Sequence, residues 1–364
     1  MTTMPWDYWL PDGKPKPATA EVIAVLESVL SRNPDHAGAC HYYIHAVEAS
    51  PNPERGLAAA HRLRDLVPGS GHLVHMPSHI YLRVGNYREA SLCNKRAIAA
   101  DEAYIAKYKV KGMYPSMYYV HNIHFLWYSM TMEGRRADSI RQARKAASKL
   151  SRETLKYMPP LQWVMPTPIL GLARFGLWDE ILREPMPEAV FERAMTHYAR
   201  GLAFTRKRQQ ADAEKEFAAL TKIARDTATR ALEMDGFPGA SLIRIAHTVL
   251  AAETAGIRGD KQARLGGLEN SVSLQDRLPY MEPPFWYFPN RQLHGAALLQ
   301  AGDAIGAERV YREDLKRNPE NGWSLYGLLQ SLQAQGKTEE AREVETRFRE
   351  AWKHSDTVLT ASCF

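Results

Sequence analysis

The chain has little of what marks several large protein classes. Three cysteines among 364 residues, Cys40, Cys93 and Cys363, are too few and too scattered for a disulfide framework or a zinc ribbon. No apolar run approaches the roughly 20 residues of a membrane span, and the first thirty residues lack a signal-peptide pattern. The expectation is a cytoplasmic protein with no membrane partner. An excess of one charge is also missing. The 47 basic and 41 acidic residues leave +6, and the basic ones form no stripe, which argues against nucleic acid as a partner. β-Branched alternation is scarce, so sheet is not expected.

Helical spacing and repetition are present instead. Gly302 and Ala307 recur as Gly336 and Ala341, 34 residues on, and Pro319 stands where a second helix should stop. Val84-Gly85-Asn86-Tyr87-Arg88-Glu89-Ala90 repeats the same turn, with echoes at Gly134 and Gly176. This pattern resembles the tetratricopeptide repeat, a helix–turn–helix unit. It predicts an all-α solenoid of about seven to eight hairpins over residues 19–355. Residues 1–18 read as a capping segment around Trp6–Leu10, and residues 356–364 as a tail. The units fall near 37–70, 71–104, 120–153, 162–192, 194–227, 240–272, 288–321 and 322–355, with an insertion at 105–119. Thr19–Arg32 reads as a lone second helix that needs a cap, because each repeat buries its apolar face only against neighbours.

Eight of the thirteen histidines lie between His41 and His124. His41, His45 and Glu48 fall within an arc of about 60° on one helix, and so do His72, His75 and His79. His121 and His124, three apart, also share a face. His75 follows His41 by 34 residues, and His79 follows His45 by 34. In the tetratricopeptide register these histidines and Glu48 occupy first-helix positions 2, 5, 9 and 12. The resemblance implies that those positions face the concave groove. Three successive units, within residues 35–153, would then aim seven imidazoles and one carboxylate at one cavity. Pro77, between His75 and His79, should break or kink its helix. His36 is a weaker candidate, His61 faces away, and His197, His247, His294 and His354 are isolated.

The runs Pro34-Asp35-His36-Ala37-Gly38-Ala39-Cys40-His41-Tyr42-Tyr43-Ile44-His45-Ala46-Val47-Glu48 and Gly71-His72-Leu73-Val74-His75-Met76-Pro77-Ser78-His79-Ile80 resemble a family of bacterial tetratricopeptide-domain proteins. His121-Asn122-Ile123-His124-Phe125-Leu126 and Glu282-Pro283-Pro284-Phe285-Trp286 do too. The resemblance covers essentially the whole chain. Longer members carry further N-terminal repeats, in keeping with the lone helix at Thr19. It implies a fold and a set of motifs, not a reaction.

Imidazoles with one carboxylate suit Zn²⁺, Cu²⁺, Ni²⁺ or Fe²⁺ and disfavour Mg²⁺ or Ca²⁺. Seven imidazoles exceed one tetrahedral site, so two ions are expected, or one ion backed by further histidines. The metal ligands expected are His41, His45, Glu48, His72, His75, His79, His121 and His124. A hydrolase would use a metal-bound water with Glu48 as ligand or general base. An oxidoreductase would use paired three-histidine copper or iron sites, lined by Tyr42, Tyr119 or Tyr128. Arg83 could clamp an anionic small-molecule substrate or form a surface salt bridge. Met281–Pro289 could cover the groove or pack between two repeats. The competing readings are a module that docks peptides in the groove, and a metal-storage or sensing protein.

Overall fold

The structure, a computed structural model, describes residues 8–10, 12–234 and 236–364. Among the described residues it is all-α apart from one hairpin of two-residue strands, Glu233–Met234 with Phe237–Pro238, and an isolated bridge between Trp9 and Pro15. No described helix is long and apolar enough to cross a membrane. The chain divides into two compact units, residues 1–130 with 318–320, and residues 131–317 with 321–364.

The first unit holds α1 (Thr19–Arg32), α2 (Ala37–Val47), α3 (Leu57–Leu66), α4 (Gly71–His75), α5 (Pro77–Arg83), α6 (Tyr87–Tyr108), α7 (Met113–Ser116) and most of α8 (Tyr118–Met132). Each long helix packs on the one before it, α1 on α2, α2 on α3, α3 on α5 and α5 on α6. Their shared core is Ile44, Ala60, Leu63, Met76, Ile80 and Tyr81, all removed from water. Part of the expected cap, Trp6 included, lies outside the described residues. The described part covers α1 and α2. Tyr8 is buried in that core, and the Trp9 indole donates to the Ala46 carbonyl at 2.8 Å.

Pro77 does divide its helix, yet the path continues. Met76 between the two pieces keeps helical angles (φ −49°, ψ −41°), and its amide still bonds to the His72 carbonyl at 3.1 Å. His72, His75 and His79 therefore keep a common face across the break.

The second unit continues with α9 (Arg136–Ser148), α10 (Arg152–Tyr157), α11 (Thr167–Arg174), α12 (Trp178–Arg183), α13 (Val190–Arg206), α14 (Gln210–Arg225), α15 (Gly239–Ile257), α16 (Lys261–Gln275), α17 (Asn290–Gln300), α18 (Ala304–Arg317), α19 (Gly322–Ala334) and α20 (Thr338–Ala351). From α13 onward each helix packs on its successor, and α13 on α15 and α17 on α19 as well, which is tetratricopeptide-like stacking. The five turn glycines picked out by sequence, Gly85, Gly134, Gly176, Gly302 and Gly336, all have φ between 68° and 88°. A Cβ is disfavoured in that left-handed region, so the residue type marks the turn. Two units depart from the simple pattern. Arg208 takes the left-handed turn of α13–α14 at φ 58°, and α15 runs on to a later turn glycine, Gly259. Met281–Pro289 packs inside the second unit, where Phe285, Trp286, Tyr287 and Phe288 are buried.

Candidate metal centre

Six of the seven expected imidazoles converge in the first unit, in two groups of three. His41 and His45 on α2 meet His72 on α4. His75 and His79, on either side of Pro77, meet His121 on α8. Within each group the nitrogens lie within 4.8 Å of one another. In the first group the His41 and His72 Nε2 atoms are 3.1 Å apart. In the second, His75 Nε2 lies 2.9 Å from His79 Nε2 and 3.1 Å from His121 Nε2. Two nitrogens on one ion at ~2.0–2.1 Å stand about 2.9 to 3.4 Å apart in octahedral or tetrahedral geometry. The observed spacings fit that range.

The outer nitrogens decide which tautomer each ring carries. His75 Nδ1 lies 2.7 Å from the Asn94 side-chain oxygen. The Asn94 amide nitrogen is committed to the Ala90 carbonyl at 2.8 Å, which fixes the side chain's orientation. His75 must therefore carry its proton on Nδ1 and leave Nε2 as a lone pair. His79 Nδ1 stands 2.9 Å from Glu48 Oε2. His45 Nδ1 lies 3.0 Å from Glu48 Oε1. A carboxylate so close holds the proton on the facing nitrogen, so His45 and His79 also keep Nε2 as the lone-pair atom. Glu48 caps the end of α2, is buried, and ties one histidine of each group to the other. Burial alone would raise its pKa, but the facing His79 and His45 hold it well below the carboxylate range.

Protonation is disfavoured at four of these rings. Burial, then the neighbouring imidazoles, push His41 down to about 4 and His72 to about 3, and hold His75 and His121 well below 6.5. Phe125 closes the second group, its ring centroid 4.9 Å from those of both His75 and His79. The first group is the more accessible. His41 and His72 are only partly buried, and half-exposed Tyr42 stacks on His41 at 4.8 Å.

The remaining expected residues sit elsewhere. His124 does not join either group; it is buried and stacked on Trp127 at 4.9 Å. The roll of α8 explains this. Tyr118, which touches His72, together with His121 and Phe125 spans about 60° of the helix, and His124 lies about 60° beyond. Tyr128 is buried with its ring edge-on to Trp127 at 6.3 Å, and the Tyr119 hydroxyl donates to Glu102 at 2.7 Å. Arg83 donates to the Ser50 carbonyl at 3.1 Å. His36 caps α2, accepting from the Ala39 amide.

Sequence reasoning missed Asn94 and Ser78, whose hydroxyl is 3.2 Å from His75 Nδ1. The signal for Asn94 was available. It is a lone amide on the α6 stripe of Ala90, Cys93 and Ala97, where a buried polar group needs a partner.

No protein-family model matches the chain, and no curated protein does. Among solved structures it is similar to the crystal structure of the APC/C hetero-tetramer Cut9–Hcn1, with 11% identity and a TM-score of 0.41, over 92% of this chain and 76% of that one. It is also similar to the structure of Naa15/Naa10 bound to HypK-THB, with 10% identity and a TM-score of 0.28, over 93% of this chain and 64% of that one. The chain thus spans less than two thirds of the second structure's length. Neither likeness bears on the histidines.

Proposed function

We propose that the first unit binds transition-metal ions at two adjacent three-imidazole sites, His41–His45–His72 and His75–His79–His121. One observation carries the reading. His75 and His79, each with its proton drawn to Nδ1, point lone pairs at one another across 2.9 Å. Two acceptors at that distance repel unless a metal ion or a proton lies between them, and a proton there would make a buried imidazolium, which is costly. The outer partners have the form that orients metal-bound histidines elsewhere: Nδ1–H to an amide oxygen or carboxylate, Nε2 to the ion.

Zinc, copper and iron fit this donor set. Three ligands per ion leave a position free, which suits a catalytic site better than a structural one. The reading is therefore a metal-dependent enzyme, hydrolase or oxidoreductase, acting on a small molecule that reaches the His41–His72 side past Tyr42. Glu48 serves as a shared orienter of His45 and His79 rather than as a ligand or general base. Metal supplies the Lewis acid or redox couple; the chain supplies orientation and exclusion of water.

Metal analysis of protein purified without a polyhistidine tag tests this. Two equivalents of a first-row transition metal are expected, falling to one in His79→Ala that remains helical. Native protein that neither carries nor takes up such an ion would overturn the reading.

A further inference from the structure

The second unit holds a feature unrelated to the histidine groups. After α20 the chain runs back through that unit as an extended segment, without helix or strand, to residue 364. Burial alternates from 356 to 360, and the chain then bends through 360–362. Thr357 and Leu359 are buried, Val358 and Thr360 are exposed, and Ser362 is wholly buried.

Side chains of the unit hold the segment contact by contact. At its start, the Ser355 and Thr357 hydroxyls donate to the Gly134 carbonyl at 2.9 and 2.7 Å. Asp356 accepts from the Arg136 and Ala137 amides, which open α9. Further on, the Gln330 side chain donates to the Thr360 carbonyl at 3.2 Å. Ser362 is bound from both sides. Its hydroxyl donates to the Gln292 carbonyl at 2.7 Å and accepts from the Tyr311 hydroxyl at 2.7 Å. Arg206 Nε donates to the Phe364 carbonyl at 3.2 Å. The Phe364 ring stands at 85° to Trp323 with centroids 6.0 Å apart, and it fills the space over Gly176, where an added Cβ would come within 2.8 Å of it. A cavity of about 20 Å³ remains beside Phe364, lined by Arg174, Tyr198, Arg206 and Tyr287. That is room for about one water.

This is how a repeat scaffold holds an extended peptide. Alternate side chains enter pockets, hydroxyl and carbonyl groups are read individually, and no backbone ladder forms. We infer that the surface of the second unit that seats residues 357–364 is a receptor for an extended segment of another protein with the pattern Leu-x-x-Ser-x-Phe. Residues 357–364 fill it in cis. The tether gives the resident segment a millimolar effective concentration, so a partner must present its segment at high local concentration to displace it.

The test uses the chain shortened after Asp356, which keeps the Ser355 bond to Gly134 and the Asp356 contacts to α9, and a fluorescent peptide of residues 357–364 followed by anisotropy. One-to-one saturable binding is expected. Peptides carrying Ser362→Ala or Phe364→Ala should bind about five- to tenfold more weakly. The intact chain should bind the peptide about a hundredfold more weakly than the shortened one. A shortened chain that stays helical and melts cooperatively but ignores the peptide overturns the inference; so does an intact chain that binds equally well. If the shortened chain fails to fold, the full chain with Ser362→Asp and Phe364→Asp expels the segment without deletion and should take the peptide. Collapse of both variants would make the segment part of the fold and contradict the inference.

Discussion

The Nε2 atoms of His75 and His79 face each other at 2.9 Å across the break at Pro77. Their outer nitrogens are held by partners on different elements, Asn94 on α6 and Glu48 at the end of α2. Three stretches of chain therefore fix one nitrogen pair.

Asn94 orients His75 without touching the proposed ion. Asn94→Leu keeps the branched shape and removes the acceptor, so one site should weaken about 10- to 100-fold while the other keeps its affinity. Competition titration against a chromophoric chelator reads both sites. Equal loss at both would point to a general disturbance of the unit.

His124 provides the internal contrast. His124→Phe preserves ring stacking on Trp127 and should leave metal stoichiometry unchanged, whereas His121→Phe should remove one equivalent. His124→Ala should cost about 2–4 kcal/mol of stability through the cavity it leaves, with metal uptake intact. Loss of an equivalent in His124→Phe would return that residue to the site.

Acid should destabilise the metal-free protein. His41 at about 4 and His72 at about 3 lie below the 6.5 of an unfolded histidine. Between 6.5 and those values the unfolded chain binds more protons, so stability falls as pH falls. Each group contributes up to about 1.4 kcal/mol per pH unit in that window. Urea melts of the chelator-treated protein at pH 7.5, 6 and 5 should show this slope, and His41→Gln with His72→Gln should flatten it. A stability that rises on acidification would contradict the neutral state of these rings.

The turn glycines should divide by surroundings. Gly302 has open space around it, so Gly302→Ala should cost about 1 kcal/mol through its positive φ alone. At Gly134 an added Cβ would come within 2.3 Å of Trp352, so Gly134→Ala should cost more than about 2 kcal/mol. Thermal melts of the two variants decide it; equal losses would show that backbone strain alone matters.

Much of the fold was legible because the hairpin turn needs a left-handed residue and glycine marks it in sequence. Where Arg208 fills the turn, or α15 overruns to Gly259, the register had no such mark. The grouping of His41, His45, His72, His75, His79 and His121 followed from helix geometry and the 34-residue offset. The offset gives a position along a helix but not the roll of that helix on its neighbours, so His124 was misplaced. Glu48 read as a ligand from its residue type; the structure sets its carboxylate against His45 on its own helix and His79 in the next repeat, and the second contact could not be read from spacing within one helix. The seating of residues 357–364 left no periodic trace, since an extended segment is specified by the pockets that receive it.

X-ray absorption at the metal edge of the loaded, untagged protein tests the two three-imidazole sites most directly. About three imidazole nitrogens per ion are expected at ~2.0–2.1 Å, with the multiple scattering of intact rings. An oxygen-dominated shell, or a single histidine per ion, would contradict them.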